Sequence, residues 1–161
     1  MKTKKLTLLL ALTFLFLFGC QTSGGNDFLR GVDADQRKDY KEAVRLYRLY
    51  AEQGHAEAQF NLGFVYDKGK GVPQDDKEAI KWYRLSAKQG YAYAQSNLGV
   101  MYTNGQGVLQ DYVLAHMWWN ICGSGGKQGC VKFRKKVENK MTPQQIEEAQ
   151  RLARNWKPKN K

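Results

Sequence analysis

One feature constrains this chain more than any other: an internal repeat of fixed length. Residues 55–90 and 91–126, set against each other at an offset of 36, agree at 15 of 36 positions. The identities include Ala58/Ala94, Gln59/Gln95, Asn61/Asn97, Leu62/Leu98, Gly63/Gly99, Tyr66/Tyr102, Gly71/Gly107, Asp75/Asp111, Ala79/Ala115 and Trp82/Trp118. The same offset reaches upstream. Asp39, Lys41, Glu42, Ala43, Tyr47, Ala51 and Gly54 fall on Asp75, Lys77, Glu78, Ala79, Tyr83, Ala87 and Gly90, so a half repeat at 39–54 precedes the two full ones. A unit this short cannot bury its own apolar face. Stacked neighbours can, and they share one continuous core.

Each unit reads as two helices. The first, helix A, is expected from about Ala56 to Lys68. Gly63 inside it costs about 1 kcal/mol relative to alanine, so its presence implies a close approach, where the next helix crosses and a side chain does not fit. Gly69-Lys70-Gly71 ends the helix and turns the chain, and Val72 plugs that turn into the core. Asp75 is suited to cap helix B, in which Ala79, Trp82, Tyr83, Ser86 and Ala87 recur at helical spacing. Gly90 closes it. No strand pattern competes with this reading. The expected fold class is all-α, a solenoid of antiparallel helix pairs.

The string of residues 56–83, with Ala-x-Ala-Gln, Leu-Gly-x-x-Tyr, Gly-x-Gly-Val and Trp-Tyr at their spacings, resembles the Sel1-like repeat family, relatives of the tetratricopeptide repeats. The likeness covers about 39–126 of a repeat region placed at 28–126. In the second full repeat Trp119 stands where the first has Tyr83. The resemblance implies an α-solenoid whose A helices line a concave face. A basic helical cap is expected at 127–161. Within it 127–137 takes a helix A slot without the Leu-Gly-x-x-Tyr signature. Thr142-Pro143-Gln144-Gln145 is a capping box with proline at the first helical position. Ile146, Ala149, Leu152, Ala153 and Trp156 follow as one apolar stripe. Residues 141–156 also resemble an ending common in bacterial members of the family.

The N-terminus carries a different signal. Lys2, Lys4 and Lys5 precede an apolar run from Leu6 to Phe18. That run is shorter than the roughly 18 residues a spanning helix needs, and its flanks suit a secretory signal. Leu17-Phe18-Gly19-Cys20 resembles the lipobox of bacterial lipoproteins, although Phe18 is bulkier than usual there. This implies a signal peptide over 1–19, lipid (palmitate) on Cys20 and a flexible tether over 20–27. Acyl chains at about 0.8 kcal/mol per buried methylene hold a domain on a membrane. Gln21 is not the Asp that retains such proteins at the inner membrane, so the family rule implies the outer membrane, facing the periplasm.

The formal charge of +11 is not spread evenly. Residues 20–126 hold 12 basic and 12 acidic side chains, whereas 127–161 hold 11 basic and 3 acidic. The excess is local to the cap. A basic end suits an anionic envelope polymer or lipid headgroups, with a solvated helix face as the plain alternative. Nucleic acid is not expected as a partner in that compartment.

Two further cysteines, Cys122 and Cys130, flank a glycine-rich turn. An exported pair at this spacing usually bonds, and the cysteine-rich secreted subgroup of the family bridges helix B to the next helix A in the same way. Two reduced core thiols are the alternative. No metal site and no cofactor are expected, since neither His55 nor His116 is placed to join the cysteines, and both histidines read as structural. Ser124-Gly125-Gly126-Lys127 spells the S-x-x-K of serine β-lactamases and penicillin-binding proteins. It lies in a turn, without the companion motifs. No catalytic residue is therefore assigned, and a cell-wall-binding or β-lactam-interacting hydrolase stands only as the alternative. The leading expectation is a protein- or peptide-binding adaptor. Its surface would use Phe60, Asn61, Phe64, Tyr93, Ser96, Asn97 and Val100 on the A helices, with Glu57, Asp67, Lys68, Thr103 and Asn104 around them. Asn61 and Asn97 either bond an extended peptide backbone or bond the neighbouring repeat. Phe60, Phe64 and Tyr93 serve as anchors only if packing leaves them exposed.

Overall fold

The computed structural model describes residues 24–158. The segment 1–19 and Cys20 lie outside the described residues. Among the described residues eight helices follow one another: α1 Gly24–Gln36, α2 Tyr40–Glu52, α3 Ala56–Lys68, α4 Asp76–Lys88, α5 Ala92–Asn104, α6 Tyr112–Ser124, α7 Gln128–Glu138 and α8 Pro143–Asn155. Among the described residues there is no strand. From α1 to α7 each helix packs on the next, and α8 turns back onto α6. This is a helical-repeat solenoid of three A–B pairs closed by α7 and α8.

Two features differ from the sequence reading. Helix α1 begins at Gly24, so the last four residues of the 20–27 tether are helical. The half repeat at 39–54 is also not a half. Helix α1 supplies its A helix, and Gly31 faces Leu46 and Tyr47 of α2 much as Gly63 faces Tyr83 of α4. The turn between α1 and α2 is shorter than those between α3 and α4 and between α5 and α6, so a fixed offset of 36 slides past α1.

The helix ends follow local chemistry. The Asp75 carboxylate accepts from the backbone N–H groups of Lys77 and Glu78 at 2.9 and 3.0 Å, and Asp111 accepts from Leu114 at 2.9 Å. Each satisfies donors that the first turn leaves free. Thr142 and Gln145 form the reciprocal capping box at 2.9 and 3.2 Å. Gly107, at φ +68, lies so close to the Asp76 carbonyl that a Cβ would overlap it. That position therefore needs glycine for both its backbone angle and its neighbour.

Packing repeats with the sequence. Leu62 and Leu98 are fully buried, each contributing about 1.5–3 kcal/mol through apolar burial. The buried Gln59 amide donates to Ala51 O at 3.1 Å, and Gln95 donates to Ala87 O at 3.3 Å, so an amide crosses each repeat boundary. Arg48 donates to the Tyr66 hydroxyl and Arg84 to the Tyr102 hydroxyl, both at 2.6 Å. The ladder changes at the cap, where Asn120 occupies the next arginine slot and accepts from Arg134 of α7 at 2.7 Å. Beyond it Trp156 meets Trp118 edge-on at 6.2 Å, anchoring the α8 stripe on α6. Cys122 and Cys130 form a disulfide with their Cα atoms 5.9 Å apart, tying α6 to α7.

Candidate partner-binding face

Helices α3 and α5 present their outward residues on one surface. An aromatic cluster sits on it. Phe60 lies 5.2 Å from Tyr91, 6.0 Å from Tyr93 and 6.4 Å from Phe64, measured between ring centroids. Tyr91 and Tyr93 are 5.8 Å apart. The cluster is flanked by cations. Lys127 Nζ lies 4.7 Å from the Tyr93 ring centre, and Lys68 and Lys70 lie 5.9 and 5.2 Å from that of Phe64. Such contacts hold ammonium groups over ring faces.

The anchor residues divide. Tyr93 is 55% exposed, which meets the condition for an anchor. Phe60 and Phe64 are half-buried, packed on the core as well as on one another, so they offer ring edges rather than whole side chains. The Tyr83 hydroxyl, near Asn97, donates to Asp67 at 3.3 Å. Burial, first, and the Asp67 charge push the Tyr83 hydroxyl far above its ordinary pKa. Asn97 is half-buried. Asn61 is half-buried on the same surface. Ser96 contributes its carbonyl, which accepts from the Trp119 indole N–H at 3.1 Å. Thr103 donates to Gly99 O at 2.8 Å and Asn104 to Gln106 at 3.1 Å. Val100 lines a cleft between α5 and α7 with Trp119, Phe133 and Val137. The sequence reading missed Phe133 and Val137, because α7 lacks the repeat signature that marks surface positions.

The S-x-x-K match forms no activated nucleophile. Ser124 donates its hydroxyl proton to Ile121 O at 2.7 Å, while the Lys127 ammonium lies over Tyr93. Activation requires the nucleophile and its base to share a hydrogen bond. Among the described residues no group of three or more His, Cys, Asp or Glu side chains is arranged to hold a metal ion. No helix among them is long and apolar enough to cross a membrane.

His55 stands before α3 with its ring 5.4 Å from that of Tyr50. His116 takes the slot of Val44 and Ile80 and is 0% exposed. Its Nε2 lies 2.9 Å from Glu138 Oε1, while its Nδ1 is buried without a hydrogen-bond partner. Burial, the largest cause, holds its pKa below the ordinary value of 6.5 against the opposing pull of Glu138. The imidazole is therefore neutral, with Nε2–H donating to the carboxylate. Because the folded pKa is depressed, the unfolded chain binds the proton first. The linked stability is fully present above about pH 6.5 and is lost as pH falls toward the folded value. His116→Ile, which restores the repeat residue, should flatten the fall in urea midpoint between pH 7.5 and pH 5. An unchanged fall contradicts this role.

The chain matches the Sel1 repeat family over residues 28–55, 56–91 and 92–121, and the first stretch takes in most of α1. It is similar in structure to a protective antigen of uropathogenic Escherichia coli strains that displays an SLR fold. The TM-score is 0.80 with 32% identity, covering 84% of this chain and 30% of that one. A Sel1 repeat protein from Oxalobacter formigenes is similar at a TM-score of 0.65 and 34% identity, covering 74% of this chain and 51% of that one. The chain thus spans about a third of one relative's length and half of the other's.

Proposed function

Because the chain belongs to the Sel1 repeat family, whose repeats mediate protein–protein interaction, we propose that it is a non-enzymatic adaptor held on the cell envelope by lipid at Cys20. In this reading a protein or peptide segment binds across the A-helix face, in the periplasm and at the outer membrane. The observation that carries it is the aromatic cluster around Phe60, where Tyr93 stays 55% exposed beside the half-buried Phe60 ring. Solvent-facing tyrosines with a polar tip and an apolar body are common anchors of interfaces. The flanking ammonium groups of Lys70 and Lys127 favour a partner with acidic character, while that of Lys68 is paired with Asp67 at 3.1 Å. An anionic envelope polymer at the basic cap is compatible with this arrangement.

Two expected outcomes test the reading. Partners crosslinked and co-purified from membranes should be lost with Asn61→Ala/Tyr93→Ala and kept with Leu85→Ala on helix B. Identical partner sets for all three proteins sink it. Separately, Cys20→Ala should move the protein from the membrane fraction to the soluble one and abolish incorporation of labelled palmitate. Retention on the membrane removes the anchor from the account while leaving the binding face untouched.

A further inference from the structure

The cleft that Val100 lines has an uneven chemistry. Its volume is about 260 Å³, below the roughly 300–1,000 Å³ of sites for drug-sized ligands. It therefore suits one side chain rather than a cofactor. The apolar wall comes from Val100, Trp119, Phe133 and Val137. Phe133 is 45% exposed and stacks on Trp119 with centroids 5.4 Å apart. Trp119 is fixed in turn by its bond to Ser96 O. The exposed Phe133 ring, backed by the buried Trp119 indole, is a preformed wall that needs no rearrangement to accept a guest.

The rim is charged with one sign. Lys136 and Lys140 line the cleft, both exposed, and no acidic side chain lines it. The Glu138 carboxylate, two residues from Lys136 in sequence, is engaged elsewhere, by His116 at 2.9 Å and Arg134 at 3.6 Å. No carboxylate lines the cleft beside either lysine, and the Lys140 ammonium lies over the Tyr112 ring at 5.4 Å. Both lysines also stand in the segment that holds the chain's whole net positive charge after residue 20.

We infer that the cleft between α5 and α7 is a specificity pocket that takes one aliphatic side chain of a bound peptide, with acidic residues on either side of it meeting Lys136 and Lys140. This rests on the reading of the A-helix face as the binding surface, and it names the class of segment that surface selects. Charge complementarity commits the occupant: the apolar wall excludes a purely ionic guest, and the lysine rim disfavours a basic one.

The test follows backbone and indole resonances of the 15N-labelled protein against three capped tripeptides. These are acetyl-Asp-Leu-Asp-amide, acetyl-Lys-Leu-Lys-amide and acetyl-Asp-Ala-Asp-amide. The first should shift the Trp119 indole N–H and the amides of Thr103 and Val137, binding about tenfold tighter than the other two. Two partly exposed ion pairs and one buried isobutyl group allow that margin. Lys136→Glu/Lys140→Glu should reverse the preference between Asp and Lys flanks. Equal shifts with all three peptides overturn the inference, as does silence of the cleft resonances. Shifts confined to the amides of Phe60 and Tyr93 overturn it while leaving the A-helix face as a binding surface. Titration of the cleft with co-purification unaffected by the Asn61/Tyr93 variant has the opposite meaning: the pocket stands and the adaptor reading fails.

Discussion

Gly99→Ala is expected to destabilise the protein by up to about 2 kcal/mol, although alanine is the better helix former. A Cβ at Gly99 would overlap Cε2 and Nε1 of Trp119, whose indole is buried and bonded to Ser96. Overpacking of this kind costs about 1–3 kcal/mol, and the gain in helix propensity of about 1 kcal/mol offsets only part of it. Gly63→Ala should cost less, since there the new Cβ would lie 2.8 and 2.9 Å from Cδ1 and Cε1 of Tyr83. Gly31→Ala should lie closest to neutral, its nearest neighbours being Leu46 Cβ at 3.1 Å and Tyr47 Cε1 at 3.3 Å. The order of urea midpoints is then Gly31→Ala above Gly63→Ala above Gly99→Ala. Midpoints that all rise with alanine would show that the helix crossings do not require glycine.

Breaking the Cys122–Cys130 bridge should cost about 2.5 kcal/mol, the chain entropy of closing a loop with a separation of 8 residues. The effect should be local to the cap. Helix α7 buries only Cys130 and Val137, so it has little apolar surface to keep it on α6 once the bridge is gone. Reductant should lower the melting temperature of the wild type and leave a Cys122→Ala/Cys130→Ala variant unchanged. Amide exchange in the variant should quicken in α7 first and in α3 and α4 hardly at all. If exchange quickens evenly along the chain, the bridge is not a local staple.

What the sequence made legible follows from where packing repeats. The bounds of α3, the Asp75 cap, the crossing at Gly63 and the capping box at Thr142 were all readable, because each depends on residues near in sequence or recurring at 36. Helix α1 was not, because the turn at residues 37–39 is shorter than that at 69–75 and breaks the period just where α1 would align. The surface was harder still. Asn61 and Asn97 share a slot, yet Asn97 stands near the Tyr83 hydroxyl of the preceding repeat, a neighbour that no pattern within one unit reveals. The cleft residues Phe133, Lys136 and Lys140 belong to a segment with no repeat partner. Their meeting with Val100 depends on how α7 docks, which the disulfide and the Arg134–Asn120 bond fix in three dimensions.

The central claim is that partners engage the A-helix face. Site-resolved photocrosslinking in intact cells measures this directly, with a photoreactive amino acid placed at Tyr93 on helix A or at Leu85 on helix B, both exposed. A discrete crosslinked species from position 93, absent from position 85, is the predicted result. Crosslinks from position 85 alone, or the same species from both positions, would contradict it.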